Sequence, residues 1–237
     1  MGAAMAHARW WHEHAAQLRV GSMITLLVLL LLLVFVIPFS VSPNSIYTRF
    51  MRDMLLSLIL LTGVAAVSDH RLQFLMVALV ASAAILVRWT GWLFPSGNMP
   101  GLLGETALIS LGLLGIVIGI KVFGPGRVTS DRVLGAVALY ILIGVVWAEA
   151  DQLVSIHVPG AYAGIPDANA PPDHSIWLYF SFVTLTTVGY GDITPVAPPA
   201  RALAILEALI GQLYPAIVLA RLVSLRVAGE GSGANPS

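Results

Sequence analysis

The chain has 237 residues, with 12 basic and 12 acidic side chains, a net charge of zero and no cysteine. Charged residues make up 10% and hydrophobic residues 58%, with a mean hydropathy of +0.88, whereas an ordinary soluble domain carries about 25% charge. This excludes a soluble globular protein, leaves no charge excess to attract nucleic acid, and removes disulfides and thiolate metal sites.

Residues 1–20 carry Arg9, Trp10, Trp11, His12, His14 and Arg19. Aromatic and basic residues together suit a helix at a membrane interface, although a loose polar tail explains them equally well. His12 and His14 alone are too few for a metal site. A first span is expected over 21–39, where Leu26 to Ile37 is wholly apolar and Pro38 sits near the end. The polar lead and the length of that run argue against a signal peptide cleaved near Ser40-Val41-Ser42. Further spans are expected at 52–68, 72–93 and 101–121, separated by Asp69-His70-Arg71 and by the turn Phe94-Pro95-Ser96-Gly97-Asn98-Met99-Pro100. Gly124-Pro125-Gly126 precedes a fifth span at 132–150. With the N-terminus inside, Arg9, Arg19, Arg71, Lys121, Arg127, Arg132, Arg221 and Arg226 fall on the cytoplasmic side, and Arg49, Arg52, Arg88 and Arg201 outside. Both termini are therefore expected in the cytoplasm, with Arg49 and Arg52 dissenting.

Residues 151–173 read as a Pro/Gly/Asp-rich external segment. Glu149, Asp151, Asp167, Asp173 and Asp192 lie between Arg132 and Arg201 with no basic residue among them, so the segment is either a negative outer mouth that concentrates cations or a plain solvated loop. Asp173 or Ser175 can cap a short helix through Trp177, Tyr179, Ser181 and Val183 to Thr186. Then comes Thr186-Thr187-Val188-Gly189-Tyr190-Gly191-Asp192. A dehydrated cation needs rings of oxygen, and a backbone offers one carbonyl per residue. Pointing successive carbonyls the same way requires alternating right- and left-handed conformations, which glycine adopts cheaply. Gly189 and Gly191 alternate with Val188 and Tyr190 as that geometry demands, and the Thr187 hydroxyl can add a further oxygen ring. Pro195, Pro198 and Pro199 interrupt regular structure before a last span at about 200–227. Within it Glu207 is an ionisable residue at membrane depth, a functional candidate by default.

The seven-residue motif resembles the selectivity filter of tetrameric potassium channels, itself a standard example of a carbonyl-ring filter. The resemblance is specific over 132–227 and loose over 1–130. It implies an all-α membrane protein with six transmembrane helices and a re-entrant pore helix and filter loop between the fifth and sixth. The implied organisation is an N-terminal interfacial segment (1–20), a four-helix transmembrane domain (21–130), a potassium-channel pore domain (131–227) and a disordered tail (228–237). K⁺ would be held at Thr187, Val188, Gly189 and Tyr190. Val183 stands where the best-known pore-only bacterial channels carry glutamate, and Tyr179 where many family members carry tryptophan. Asp192 therefore lacks a buried acid partner and is expected to hydrogen-bond to Tyr179. Gly211 matches an inner-helix glycine, either a gating hinge or a packing glycine, and Pro215 adds a second weak point one turn later. By the same register Glu207 lies behind the pore lining, within reach of pore-helix hydroxyls, a supporting role favoured over a direct ion site, and Gln212 faces the cavity.

The function implied is passive K⁺ conduction in the plasma membrane by a homotetramer, since one filter loop per chain cannot close a ring. No cofactor, nucleic acid or soluble ligand-binding domain is expected. Without an arginine ladder in the fourth span, steep voltage gating is not expected either. A less selective cation pore and a non-conducting subunit of a channel assembly are the alternatives. A transporter with four degenerate filters is disfavoured by the single complete filter. An enzyme is disfavoured because no paired carboxylates, nucleophile–base set or phosphate loop is present.

Overall fold

The computed structural model describes residues 23–36, 38, 45–66, 71–93, 100–124, 129–165 and 174–231. The expected interfacial segment, His12 and His14, Ser40-Val41-Ser42, Asp167, Asp173 and the last six residues lie outside them. The described elements are α1 (Met23–Phe35), α2 (Ile46–Ala66), α3 (Arg71–Leu93), α4 (Pro100–Phe123), α5 (Ser130–His157), β1 (Tyr162–Ala163), α6 (His174–Leu185), β2 (Thr194–Pro195) and α7 (Pro198–Gly231).

Four of these helices, at Phe74–Trp92, Leu102–Phe123, Ser130–His157 and Pro198–Arg221, are long and apolar enough to cross a membrane. The chain is an integral membrane protein, and its described residues are almost wholly helical. Helix α1 is shorter, and α2 carries Arg49, Arg52 and Asp53 in its first half. In α1 the residues at helical spacing Leu26, Leu30 and Leu33 are fully buried, while Ile24, Val28 and Leu32 face outward. That is one packing stripe on a helix apolar all round, as a bilayer permits.

Helix ends are tied at two levels. At one, the Lys121 ammonium donates to the Ala66 carbonyl at 2.7 Å, and Arg132 and Arg221 both donate to the Gly124 carbonyl, at 3.0 and 2.7 Å. These bonds gather the ends of α2, α4 and α5 against α7. At the other, Arg88 of α3 donates to Asp53 of α2 at 2.7 Å, with Trp92 Nε1 on the second carboxylate oxygen at 3.0 Å. Both members of the ion pair are buried. Arg88, near the end of α3, is therefore buried against α2.

Helix α5 runs two turns past its expected end at 150, which corrects the reading of 151–173 as loop throughout. It also moves two acids away from the proposed outer mouth. Asp151 is fully buried and accepts from the Tyr162 hydroxyl at 2.8 Å, and buried Glu149 lies 3.7 Å from His174 Nε2. Burial holds the Tyr162 phenol above its ordinary range, so it stays a donor. The sequence made these residues look solvated, but tertiary partners supply what water would have given. Helix α7 also continues past 227, to Gly231.

Candidate functional site

Helix α6 is twelve residues long and is seated by Trp177, Leu178 and Phe180, with Tyr162 edge-on to Trp177 at a ring separation of 4.9 Å. It begins at His174, so Ser175 lies inside the helix. His174 Nδ1 sits 2.9 Å from Gln152 Oε1 of α5. At the other end the chain reverses over the Val183 carbonyl, which accepts from the Val188 and Gly189 amides at 2.9 and 3.3 Å. The Thr186 hydroxyl donates back to the Phe182 carbonyl at 2.6 Å. Val183 thus closes the turn with its backbone, a task its side chain does not advertise.

The next residues alternate in hand. Thr187, Gly189 and Gly191 have φ of 59, 58 and 78°, while Val188 and Tyr190 between them do not enter the positive region. Glycine reaches that region freely, whereas a β-branched residue enters it at a cost of about 1–2 kcal/mol. The glycines were legible as left-handed positions; Thr187 was not, because nothing in a threonine announces it. Its hydroxyl accepts from Gln212 Nε2 of α7 at 2.7 Å. Val188 and Tyr190 are 52 and 71% exposed on the single chain.

Beyond the turn, the Tyr179 hydroxyl donates to Asp192 Oδ2 at 2.7 Å. The bond holds the Asp192 carboxyl below its usual range and the Tyr179 phenol above its own. β1 and β2 then pair antiparallel, Tyr162 with Pro195 and Ala163 with Thr194, anchoring the exit of the loop to the chain after α5. This two-residue ladder has no sequence signature.

Helix α7 meets α6 at two further points. Ser181 Oγ lies 2.6 Å from Glu207 Oε1 and 2.7 Å from the Gly144 carbonyl oxygen of α5, with Ser181 and Glu207 fully buried. One turn on, Gly211 lies against the Leu185 carbonyl so closely that a Cβ there would overlap it. Pro215 stands inside α7 another turn along. Asp151, Tyr162 and Ser181 were not singled out as site residues. Among the described residues, no three His, Cys, Asp or Glu side chains gather into a metal site.

Residues 136–227 match the model of a family described as Ion channel. This stretch of the chain belongs to the ion channel family. The match spans α5 from Ala136, the turn, the alternating loop and α7 to Val227, so the channel-family segment and the site coincide. Among curated proteins, the chain is similar to Protein LctB of Bacillus caldotenax, 29% identical over 124 residues, 51% of this chain and 92% of that one. It is 44% identical over 68 residues to two pore potassium channel c of Oryza sativa subsp. japonica, covering 27% of this chain and 15% of that protein. Potassium voltage-gated channel subfamily A member 10 of Mus musculus is 30% identical over 108 residues, 45% of this chain and 19% of its own length. The chain thus spans less than a fifth of these two potassium channels. No solved structure matches it. The relatives named as potassium channels are not enzymes, and residues 1–135 lie outside the family match.

Proposed function

We propose that the protein is a potassium-selective channel of the plasma membrane, with four copies surrounding one pore and both termini cytoplasmic. The observation that carries the reading is the alternation at Thr187, Gly189 and Gly191 within the Thr186–Asp192 motif. That backbone pattern brings successive carbonyls to one side, where they can replace the hydration shell of a cation. Thr187, Val188, Gly189 and Tyr190 supply the oxygens, and Gly191 permits the last turn. Helix α6 serves as a re-entrant pore helix, tolerable at membrane depth because protein buries it on one side and a water-filled cavity meets its end. Helices α5 and α7 are the outer and inner helices, and α1 to α4 complete six spans as a scaffold around them.

Assembly is supported by what one chain leaves uncovered. Val188 and Tyr190 flank the filter with their side chains exposed, and α7 presents Leu206, Leu209, Leu213 and Ile217. A single loop contributes one quarter of each oxygen ring, so the site is incomplete without further copies. Tyr179, Val183 and Glu207 support the filter, and Gln212 lines the cavity beneath it. Purified protein reconstituted alone into vesicles tests the reading: K⁺ flux well above Na⁺ flux, with cross-linking to a four-chain species, is expected. Comparable Na⁺ flux would replace it with a less selective cation pore. Assembly without flux would make the chain a non-conducting subunit.

A further inference from the structure

The contacts of Ser181 set a proton count. Its Oγ is 2.7 Å from the Gly144 carbonyl oxygen and 2.6 Å from Glu207 Oε1, both distances of true O–H···O bonds. A serine hydroxyl carries one proton, and a carbonyl can only accept. Were that proton given to a Glu207 carboxylate, Ser181 Oγ and the Gly144 oxygen would face each other at 2.7 Å with nothing between them. If it goes to Gly144, the 2.6 Å contact requires a proton on Glu207. We propose that Glu207 is a neutral carboxylic acid that donates to Ser181 Oγ while Ser181 donates to the Gly144 carbonyl, a proton-bearing chain that ties α7 to α6 and α6 to α5.

The surroundings agree. Glu207 is fully buried and its Oε2 has no hydrogen-bond partner. An orphaned oxygen costs far less on a neutral acid than on an anion. The charged group that bears on it is a second acid, Asp151 of α5. Asp151 is also fully buried, with Oδ1 bonded to Tyr162 of β1 and Oδ2 unpartnered. Helix α6 contributes Ser181 and no titratable group to the contact. Two buried acids within each other's influence are held most cheaply with one of them protonated. Glu207 also sits one turn before Gly211, whose backbone presses on the end of α6. Glu207 is thus a positioning residue: it holds the helix that leads into the alternating loop, and it does so only while it keeps its proton. The folded state retains a proton that an exposed glutamate would release at neutral pH, so stability must fall as pH rises through the titration of this group.

The geometry carries this inference whether or not the chain conducts K⁺, and the test reads no current. Infrared spectra of the full-length protein in detergent, with isotope-labelled glutamate, should contain a carboxylic-acid C=O band at neutral pH. Glu207→Gln should remove that band, and Ser181→Ala should shift it to the frequency of an unbonded acid. In thermal unfolding, Glu207→Gln should match the parent at neutral pH, because an amide can still donate to Ser181, and should lose the alkaline fall in stability. Glu207→Leu should be less stable throughout. Disappearance of a carboxylate band in Glu207→Gln, or an acid band unmoved in Ser181→Ala, overturns the proposal. Should Glu207→Gln fail to fold, the Ser181→Ala shift decides by itself.

Discussion

The Gln212 side-chain amide of α7 donates to the hydroxyl of Thr187, the one non-glycine residue with positive φ among those described, at 2.7 Å. A contact from α7 therefore lands on the strained position at the start of the loop. Under the channel reading the same two groups form the polar floor beneath the filter. Gln212→Ile should remove the donor without touching a filter carbonyl. Loss of one such hydrogen bond is worth about 0.5–1.5 kcal/mol. Affinity for internal quaternary ammonium blockers should therefore change by a few-fold to about tenfold, with the K⁺/Na⁺ permeability ratio unchanged. Unaltered block would mean that Gln212 does not face the cavity.

Much of this site could be read from sequence because its parts are local. A run of apolar residues marks a helix, the glycines at 189 and 191 mark positive φ, and Tyr179 stands thirteen residues from Asp192 in a motif with known spacing. What was missed depends on tertiary partners. Asp151 and Gln152 look like the start of a loop, and only Tyr162 and His174 explain why α5 continues through them. Asp53 and Arg88 are 35 residues apart and meet inside the bundle. No periodicity reports such a pairing. Thr187 is left-handed because the turn over Val183 and the bond from Gln212 determine it, and neither is visible in its own identity.

Gly211 and Gly189 separate steric from conformational uses of glycine. At Gly211 an added Cβ would overlap the Leu185 carbonyl, which is backbone and cannot move aside. At Gly189 nothing lies within 4 Å of an added Cβ on the single chain, but φ is +58°. Gly211→Ala should therefore force α7 off α6 and lower the thermal stability of the purified protein by about 1–3 kcal/mol, the usual cost of overpacking. Gly189→Ala should leave folding of the single chain largely intact, with a conformational penalty of about 1–2 kcal/mol confined to the loop, and should abolish K⁺ selectivity. A fully stable Gly211→Ala protein would assign that glycine to bending, not to packing. Unchanged selectivity in Gly189→Ala would remove the filter assignment.

Tyr179 and Asp192 make the site's pH dependence one-sided. The hydrogen bond from Tyr179 is the main cause holding the Asp192 carboxyl below its usual range. A depressed carboxyl contributes while ionised, at pH above its unfolded value, and the contribution is lost as pH falls through its lowered value. Mild acid should therefore leave this contact in place, with loss setting in below the ordinary aspartate value of about 3.9. Tyr179→Phe removes the donor, so the Asp192 titration should move upward toward that ordinary value. Carbon NMR of labelled aspartate in the two proteins reads it directly. Identical midpoints would show that the bond does not control the group.

Voltage response is limited by how little charge can move. Transferring one elementary charge through 100 mV is worth about 2.3 kcal/mol, so steep gating requires several mobile charges per chain. Helix α4 has no basic residue before Lys121, and that ammonium is bonded to the Ala66 carbonyl at the end of α2. In α3, Arg88 is buried against Asp53 at 2.7 Å, with Trp92 completing the carboxylate's coordination. Moving Arg88 would leave Asp53 with only the longer ion pair to Arg52, at 3.5 Å, and breaking a buried pair costs about 3–5 kcal/mol. Neither cation is free to cross the field. The four helices before α5 should accordingly behave as a fixed scaffold, and open probability should vary only weakly between strongly negative and strongly positive potentials. Single-channel recording in planar bilayers measures this. A sigmoidal activation curve that requires several gating charges per subunit would show that the Arg88–Asp53 pair separates, and Asp53→Asn should then shift that curve.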